Sequence, residues 1–255
     1  MKILVVGDSC KDVFIYGDII RLAPEAPVPV FNPLRNTENE GMAKNVSKNI
    51  ESLDSTVYTI TNNNSIKKIR YVDDKSNQLV LRVDEHDYCD RIDEFLLHRI
   101  QNNECNLPMN GVVKVDAIII SDYCKGFLEE DDIKWICEKN KNVFVDTKKQ
   151  LDMWIENVDY LKINSLEYDR NKVFLDSHKS IMKKTIVTKG NKGCLYNEKI
   201  YPTIDVPVKD ISGAGDTFLA GLVVEYVRSK DIEKSITFAQ RCTQKVVQKH
   251  GVSVV

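Results

Sequence analysis

The sequence predicts an α/β fold: a mostly parallel central sheet with helices on both faces, and a small sheet projecting from it. Three observations carry this. Short aliphatic runs at Ile3–Val6, Ala117–Ser121, Val143–Val145, Tyr160–Ile163 and Thr185–Val187 read as strands buried on both sides. Polar, helix-forming stretches alternate with them, at Ala43–Leu53, Arg91–Asn102, Asp131–Lys139, Asp216–Arg228 and Ile232–Lys249. In the last of these, Ile232, Ile236, Ala239, Thr243 and Val246 recur at helical spacing. Two segments break the rhythm. Val13–Phe31 carries Pro-Glu-Ala-Pro-Val-Pro, and Ile66–Asp84 alternates Ile, Tyr, Val and Leu with charge. Both read as extended, partly exposed strands able to pair as that small sheet.

The 255 residues suit one large α/β domain. A net charge of −2 provides no basic face for nucleic acid. The seven cysteines are scattered with no C-x-x-C pair, which argues against a zinc site or disulfide framework and for a reducing compartment. The opening Met-Lys-Ile-Leu-Val-Val-Gly-Asp has neither the apolar length nor the cleavage site of a leader. The expectation is a cytoplasmic protein acting on small molecules, with no membrane partner.

The strongest local signal is Asp210-Ile-Ser-Gly-Ala-Gly-Asp-Thr217 ahead of a helix. A glycine-rich turn opening into a helix presents free backbone N–H groups at the positive end of the helix dipole, and so binds anions. Asp216 would take a proton from an attacking hydroxyl, while the amides of Gly213, Ala214 and Gly215 hold charge on a transferred phosphoryl group. Taken alone, Asp216 reads more readily as an acid favoured in a first helical turn. Asn164-Ser-Leu-Glu167 follows a strand and reads either as an oxygen pair near a hydrated Mg²⁺ or as a capping pair. Thr188-Lys-Gly-Asn-Lys-Gly193 is a nucleotide-contacting loop or a plain hairpin into Cys194–Tyr196, and the hairpin is favoured. No P-loop, G-x-G-x-x-G, H-E-x-x-H or G-x-S-x-G is present, and His86, His98, His178 and His250 form no ligand spacing.

These motifs together resemble the ribokinase-like carbohydrate kinases, whose fold is a three-layer sandwich with a β-lid over the sugar. Within that family the chain is similar to the heptose-7-phosphate kinase half of bacterial ADP-heptose synthases. The similarity rests on Val6-Gly-Asp-Ser-Cys-Lys-Asp12, Tyr16-Gly17 and Arg21-Leu-Ala-Pro-Glu-Ala-Pro-Val-Pro-Val30. Lys68-Ile-Arg70, Asn77–Asp84, Ser121-Asp-Tyr-Cys-Lys-Gly126 and Phe144-Val-Asp-Thr-Lys148 continue it in the same order. The resemblance implies ATP and Mg²⁺ as cofactors, a heptose 7-phosphate as acceptor, and a homodimer formed through the lid. It implies Asp216 as base and Gly213–Gly215 as anion hole. Asn164 and Glu167 would assist Mg²⁺, Glu167 through water. Thr188, Gly190 and Gly193 would lie near the nucleotide. Asp12, Arg21, Gly41, Asn45, Arg82 and Asp84 fall on the sugar side, and Lys125 and Lys148 are phosphate contacts. Asp210 marks the place where some relatives hold a monovalent cation such as K⁺.

Some positions depart from the pattern. Gly-Gly-x-x-Asn is here Gly41-Met-Ala-Lys-Asn45, Asp-Pro-Lys is Asp146-Thr-Lys148, and only 14 residues run from Asp54 to Lys67, where a helix and strand usually intervene. Residues 1–255 read as one kinase domain without the nucleotidyltransferase half. A ribokinase- or fructokinase-like kinase of another sugar, or a non-catalytic sugar or nucleotide binder, stand as alternatives.

Overall fold

The computed structural model describes residues 1–63, 65–107, 111–249 and 251–255. His250 and Asn64, the end of a turn signal at Asn62–Asn64, lie outside the described residues. The chain opens with β1 (Lys2–Gly7), β2 (Ser9–Leu22), β3 (Pro29–Met42), α1 (Ala43–Ser52), β4 (Thr56–Thr61), β5 (Ile66–Asp73) and β6 (Leu79–Glu85). Next come α2 (Glu94–Leu97), β7 (Ile100–Gln101), β8 (Glu104–Leu107), β9 (Gly111–Lys114), β10 (Ala117–Asp122), α3 (Glu130–Lys139) and β11 (Val143–Thr147). It closes with β12 (Tyr160–Asn164), α4 (Ser165–Ser177), α5 (Lys179–Met182), β13 (Thr185–Thr188), β14 (Cys194–Tyr196), β15 (Lys199–Tyr201), α6 (Ala214–Ser229) and α7 (Ile232–Val246).

The main sheet has eight strands in the order β15-β14-β13-β12-β11-β10-β1-β4. All pairs from β13 to β4 are parallel, and β14 and β15 are antiparallel additions at one edge. The aliphatic runs give this sheet two buried faces, since successive side chains point to opposite sides. In β1, Ile3 and Val5 join a cluster with residues of α1, α6 and α7, while Leu4 and Val6 join a second cluster with α3 and the small β7-β8-β9 sheet. The expected strands and four of the five expected helices are in place.

The helix expected over Arg91–Asn102 is not. Only Glu94–Leu97 is helical, started by Asp93, whose side chain accepts from the Leu96 amide. Ile92 is held beforehand by its N–H bond to the Phe127 carbonyl, and Ile100 pairs with Cys105 in the β7–β8 hairpin. Asn102 and Asn103 both take positive φ, 55° and 56°, as a two-residue type I′ turn requires. Turn chemistry and strand pairing override the helical spacing.

A second, four-stranded sheet in the order β3-β2-β5-β6 stands off the main one. It contains both segments expected to be extended. Its outer strand β3 runs to Met42, well past Phe31, because pairing to β2 holds a polar stretch that lacks apolar alternation. Pro24 and Pro27 fall in the tip, and Pro29 begins β3, where a missing N–H is tolerated. In the short segment from Asp54 to Lys67, β4 is followed by β5 with no helix between them among the described residues.

Candidate active site

Helix α6 begins at the glycine-rich turn. Its N-cap, Gly213, has φ 78°, a left-handed conformation that a side chain disfavours. A Cβ there would also crowd Asn45 Nδ2. The turn delivers Asp216 in the first helical turn, 4% exposed. Both its carboxylate oxygens accept hydrogen bonds, Oδ1 from Tyr123 Oη at 2.6 Å and Oδ2 from Asn45 Nδ2 at 2.8 Å. Burial pushes the Asp216 carboxyl up to about 6, against the downward pull of the Tyr123 and Asn45 hydrogen bonds. The group is therefore an ionised base above that pH, poised as general-base chemistry requires.

Each donor to Asp216 is held in turn. Asn45 lies on α1, where Asn49, one turn later, donates to its carbonyl and accepts from Thr217 Oγ1 of α6. Tyr123 follows β10, and its backbone N–H donates to Asp8 Oδ2 at 2.5 Å, while Asp8 Oδ1 accepts from the Phe127 amide. The N-terminal Gly-Asp thus clamps the loop that carries Tyr123. Burial, then the charges of Asp216 and Asp146, raise the Tyr123 phenol and keep it a donor.

Of the three amides expected to face an anion, one is already engaged. The Ala214 amide already donates to the Ile211 carbonyl at 3.1 Å, so Gly213 and Gly215 are the amides left to face an anion. Above Gly215 sits Lys162 Nζ, 3.1 Å from where a Cβ would stand. Lys162 is 4% exposed and pairs with Asp146 Oδ2 at 2.6 Å. Lys148 pairs with Glu167, and its ammonium is raised on balance, because Asp146, Glu167 and Asp216 outweigh burial. Glu167 and Asn164 form a reciprocal capping box at the start of α4, so the capping role and the placement beside Lys148 coexist. Asp146 Oδ1 is buried with no hydrogen-bond partner.

A cavity of about 470 Å³ runs from this turn between the β13–β14 hairpin and α7. Lys148, Lys162, Asn164, Thr188, Gly190 and Gly193 line it, as do Gly213, Ala214 and Gly215. The favoured hairpin at Thr188–Gly193 is therefore present, and it also walls the cavity. Ile204, Val206, Val208, Ile211 and Val247 give the far wall an apolar surface.

On the other side of Tyr123 stands the four-stranded sheet. Asp12 is buried against Arg70, 2.5 Å away. A Cβ at Gly41 would collide with Asp12 Oδ2, so glycine is required there. Arg82 and Asp84 form a two-bond ion pair at 2.7 Å, and Lys125 pairs with Asp87 at 2.5 Å. Met42, in place of a glycine, keeps φ 58° and ψ −130°, a strained backbone for a side-chain residue. Its side chain is buried in the cluster containing Cys10 and Ile66.

Two expected residues are placed differently. Arg21 is exposed near the tip of β2, about 30 Å along the strand from Asp12, so this chain does not bring it to Asp216. Asn45, expected beside the sugar, donates to Asp216. Asp210 accepts from the amides of Ser212 and Gly251 and so ties the C-terminal segment to the glycine-rich turn. Among the described residues no group of three or more His, Cys, Asp and Glu is arranged for a metal. No described helix is long and apolar enough to cross a membrane. Sequence reading missed Tyr123, Lys162 and Asp146 as site residues. The one available signal for Lys162 was a lysine inside a strand otherwise buried on both faces.

This architecture is the ribokinase-like fold. The structure matches Thermotoga maritima ribokinase with a TM-score of 0.70 at 17% identity, covering 98% of this chain and 94% of that one. It matches Arabidopsis thaliana ribokinase, solved with ribose and ATP, with a TM-score of 0.71 at 15% identity, covering 98% and 93%. The family model described as pfkB family carbohydrate kinase matches residues 51–254, and the chain belongs to that family. In sequence it is 28% identical to the bifunctional protein HldE of Helicobacter pylori strain J99, over 98% of this chain and 63% of that protein. It is 25% identical to HldE of Bradyrhizobium diazoefficiens, over 99% of this chain and 60% of that protein. The chain thus spans under two thirds of the length of these relatives. The Helicobacter alignment covers 298 positions, more than the 255 residues here, so gaps open in this chain.

Proposed function

We propose that this chain transfers the γ-phosphoryl group of ATP to a sugar hydroxyl, O1 of a heptose 7-phosphate, with Asp216 taking the hydroxyl proton. The observation that carries the reading is a buried carboxylate, raised to about 6, in the first turn of α6, directly beside a cavity of nucleotide size. The adenine and ribose lie against the apolar wall and the Thr188–Gly193 hairpin. The γ-phosphate meets the Gly215 amide, with Lys162 and Lys148 neutralising its charge. Tyr123 and Asn45 fix the carboxylate so that one lone pair faces the acceptor. The sugar is held between Tyr123 and the inner face of the lid, with residues 1–255 acting as one kinase domain. The similarity to HldE proteins favours the heptose phosphate over other sugars.

The side chains fit a hydrated Mg²⁺: Asp146 Oδ1 is buried and accepts no hydrogen bond, with the Lys148 ammonium 3.9 Å away, and Glu167 stands beside Lys148. A Mg²⁺ bound there would neutralise phosphate charge. A K⁺ ion near Asp210 belongs to the same reading, given that Escherichia coli phosphofructokinase-2, at a TM-score of 0.69, was solved in complex with potassium. Exposed Ile20, Leu22, Leu34 and Leu81 on the lid favour a homodimer formed through it. A cytoplasmic location fits the chemistry.

Coupled ADP-release assays across heptose 7-phosphate, unphosphorylated heptose, ribose and fructose test the reading. The highest kcat/KM belongs to heptose 7-phosphate. A preference for an unphosphorylated hexose would point to a kinase of another sugar, and nucleotide binding without ADP from any acceptor would point to a non-catalytic binder.

A further inference from the structure

The inner face of the lid carries a charged array whose parts pair unevenly. Asn39, Asp12, Lys68 and Asp84 stand opposite one another across β3, β2, β5 and β6. Two residues further along, Thr37, Phe14, Arg70 and Arg82 form the next row. Residues two apart on a strand share a face, so both rows look the same way. That way is toward the base, because Lys68 Nζ lies 5.2 Å from the centre of the Tyr123 ring, whose hydroxyl bonds Asp216.

Each cation in this array except one has its own carboxylate. Arg70 pairs with Asp12, Arg82 with Asp84, and Lys125, from the main domain, with Asp87. Lys68 is only 8% exposed, yet among the described residues it has neither an ion-pair nor a hydrogen-bond partner. Its ammonium stands over the Tyr123 ring. A buried ammonium without an anion is unfavourable, and the local charges follow suit. Burial lowers the Lys68 ammonium, with Cys10 and Asp12 holding it up and Arg82 and Lys125 pressing it down. Four cations face three carboxylates. Tyr123 lines the cavity beside the glycine-rich turn and Lys68 does not: Lys68 stands at the Tyr123 ring, among the residues of the lid.

We propose that Lys68 is the residue that recognises a phosphate monoester on the acceptor sugar. The proposal rests on the kinase reading above and adds to it the group that selects a phosphorylated substrate. The dianion of a phosphate ester suits a cluster in which Arg82 and Lys125 can turn part of their hydrogen bonding toward the same oxygens. A neutral sugar would leave the Lys68 ammonium buried and unpaired, so the same residue rejects it.

The test is calorimetric titration of the nucleotide-free protein with heptose 7-phosphate and with the unphosphorylated heptose, for wild type, Lys68→Met and Lys68→Arg. Wild type prefers the phosphorylated sugar, and Lys68→Met collapses that preference by about 10- to 100-fold, the scale of a hydrogen bond to a charged group. Lys68→Arg, which keeps the charge, retains most of it. Circular dichroism melting of each variant verifies folding. An unchanged preference in Lys68→Met, an equal loss on both sugars, or no binding of heptose 7-phosphate by wild type overturns the proposal. ADP release separates it from the kinase reading: turnover on heptose 7-phosphate with an unchanged preference in Lys68→Met would sink the Lys68 assignment and leave the kinase standing.

Discussion

The two sides of Asp216 are built in contrasting ways. The cavity side is local: a glycine-rich turn, a hairpin and a capping box each place their own groups within a few residues, against an apolar wall. The lid side is assembled from distant segments, with Asp12 meeting Arg70 and Lys125 meeting Asp87 across many intervening residues. Asp216 sits at the seam, with Asn45 of α1 on one oxygen and Tyr123 of the β10 loop on the other. The groups around the glycine-rich turn can therefore persist while the lid side changes. The departures at Met42 and in the shortened segment between α1 and β5 both lie in or beside elements leading into the lid.

The largest effect expected from breaking this seam falls on the buried pair. Lys162→Met leaves Asp146 buried without its partner, and denaturant unfolding should show a loss of about 3–5 kcal/mol. Replacing both residues by apolar side chains restores much of that stability without restoring turnover, which separates folding from function.

Asp216→Asn should move stability in the opposite direction. The folded carboxyl titrates near 6, above the ordinary 3.8 of an unfolded aspartate. The folded state thus holds its proton more tightly, and stability falls as pH rises from about 3.8 to about 6. Above that window the wild type carries a penalty of up to about 3 kcal/mol, which the amide removes. Melting curves should place Asp216→Asn above wild type at pH 7, with the gap closing below pH 4. Asparagine can accept from Asn45 and donate to the Tyr123 oxygen, so packing is kept.

The smallest effect expected is on tuning. Tyr123→Phe removes a hydrogen bond that lowers the Asp216 carboxyl, so the acidic limb of the pH–rate profile shifts upward, by about one unit. A merely structural role for Tyr123 would lower turnover without moving the limb.

Sequence legibility follows the same division. The parallel strands were readable because burial on both faces leaves aliphatic runs. The Asp216 turn was readable because glycines must stand where the backbone is left-handed. Asn164 and Glu167 were readable as a pair because helix capping has a fixed spacing. Lys68 and Lys162 were not, since what marks them is the absence or presence of a partner brought by another strand. Tyr123 lay within a recognised motif, but its role depends on Asp8 holding its loop from across the sheet. The Arg91–Asn102 segment misled because Ile92, Leu96 and Ile100 repeat at helical spacing, while the Asn102-Asn103 turn that decides its fate lies at its end.

The central claim is that Asp216 is the base of a phosphoryl transfer. The direct measurement is ADP release by Asp216→Asn with saturating ATP and heptose 7-phosphate, on protein whose fold is verified by melting. Loss of turnover by about 10²- to 10⁴-fold is the expected result. Turnover within a few-fold of wild type would contradict the account.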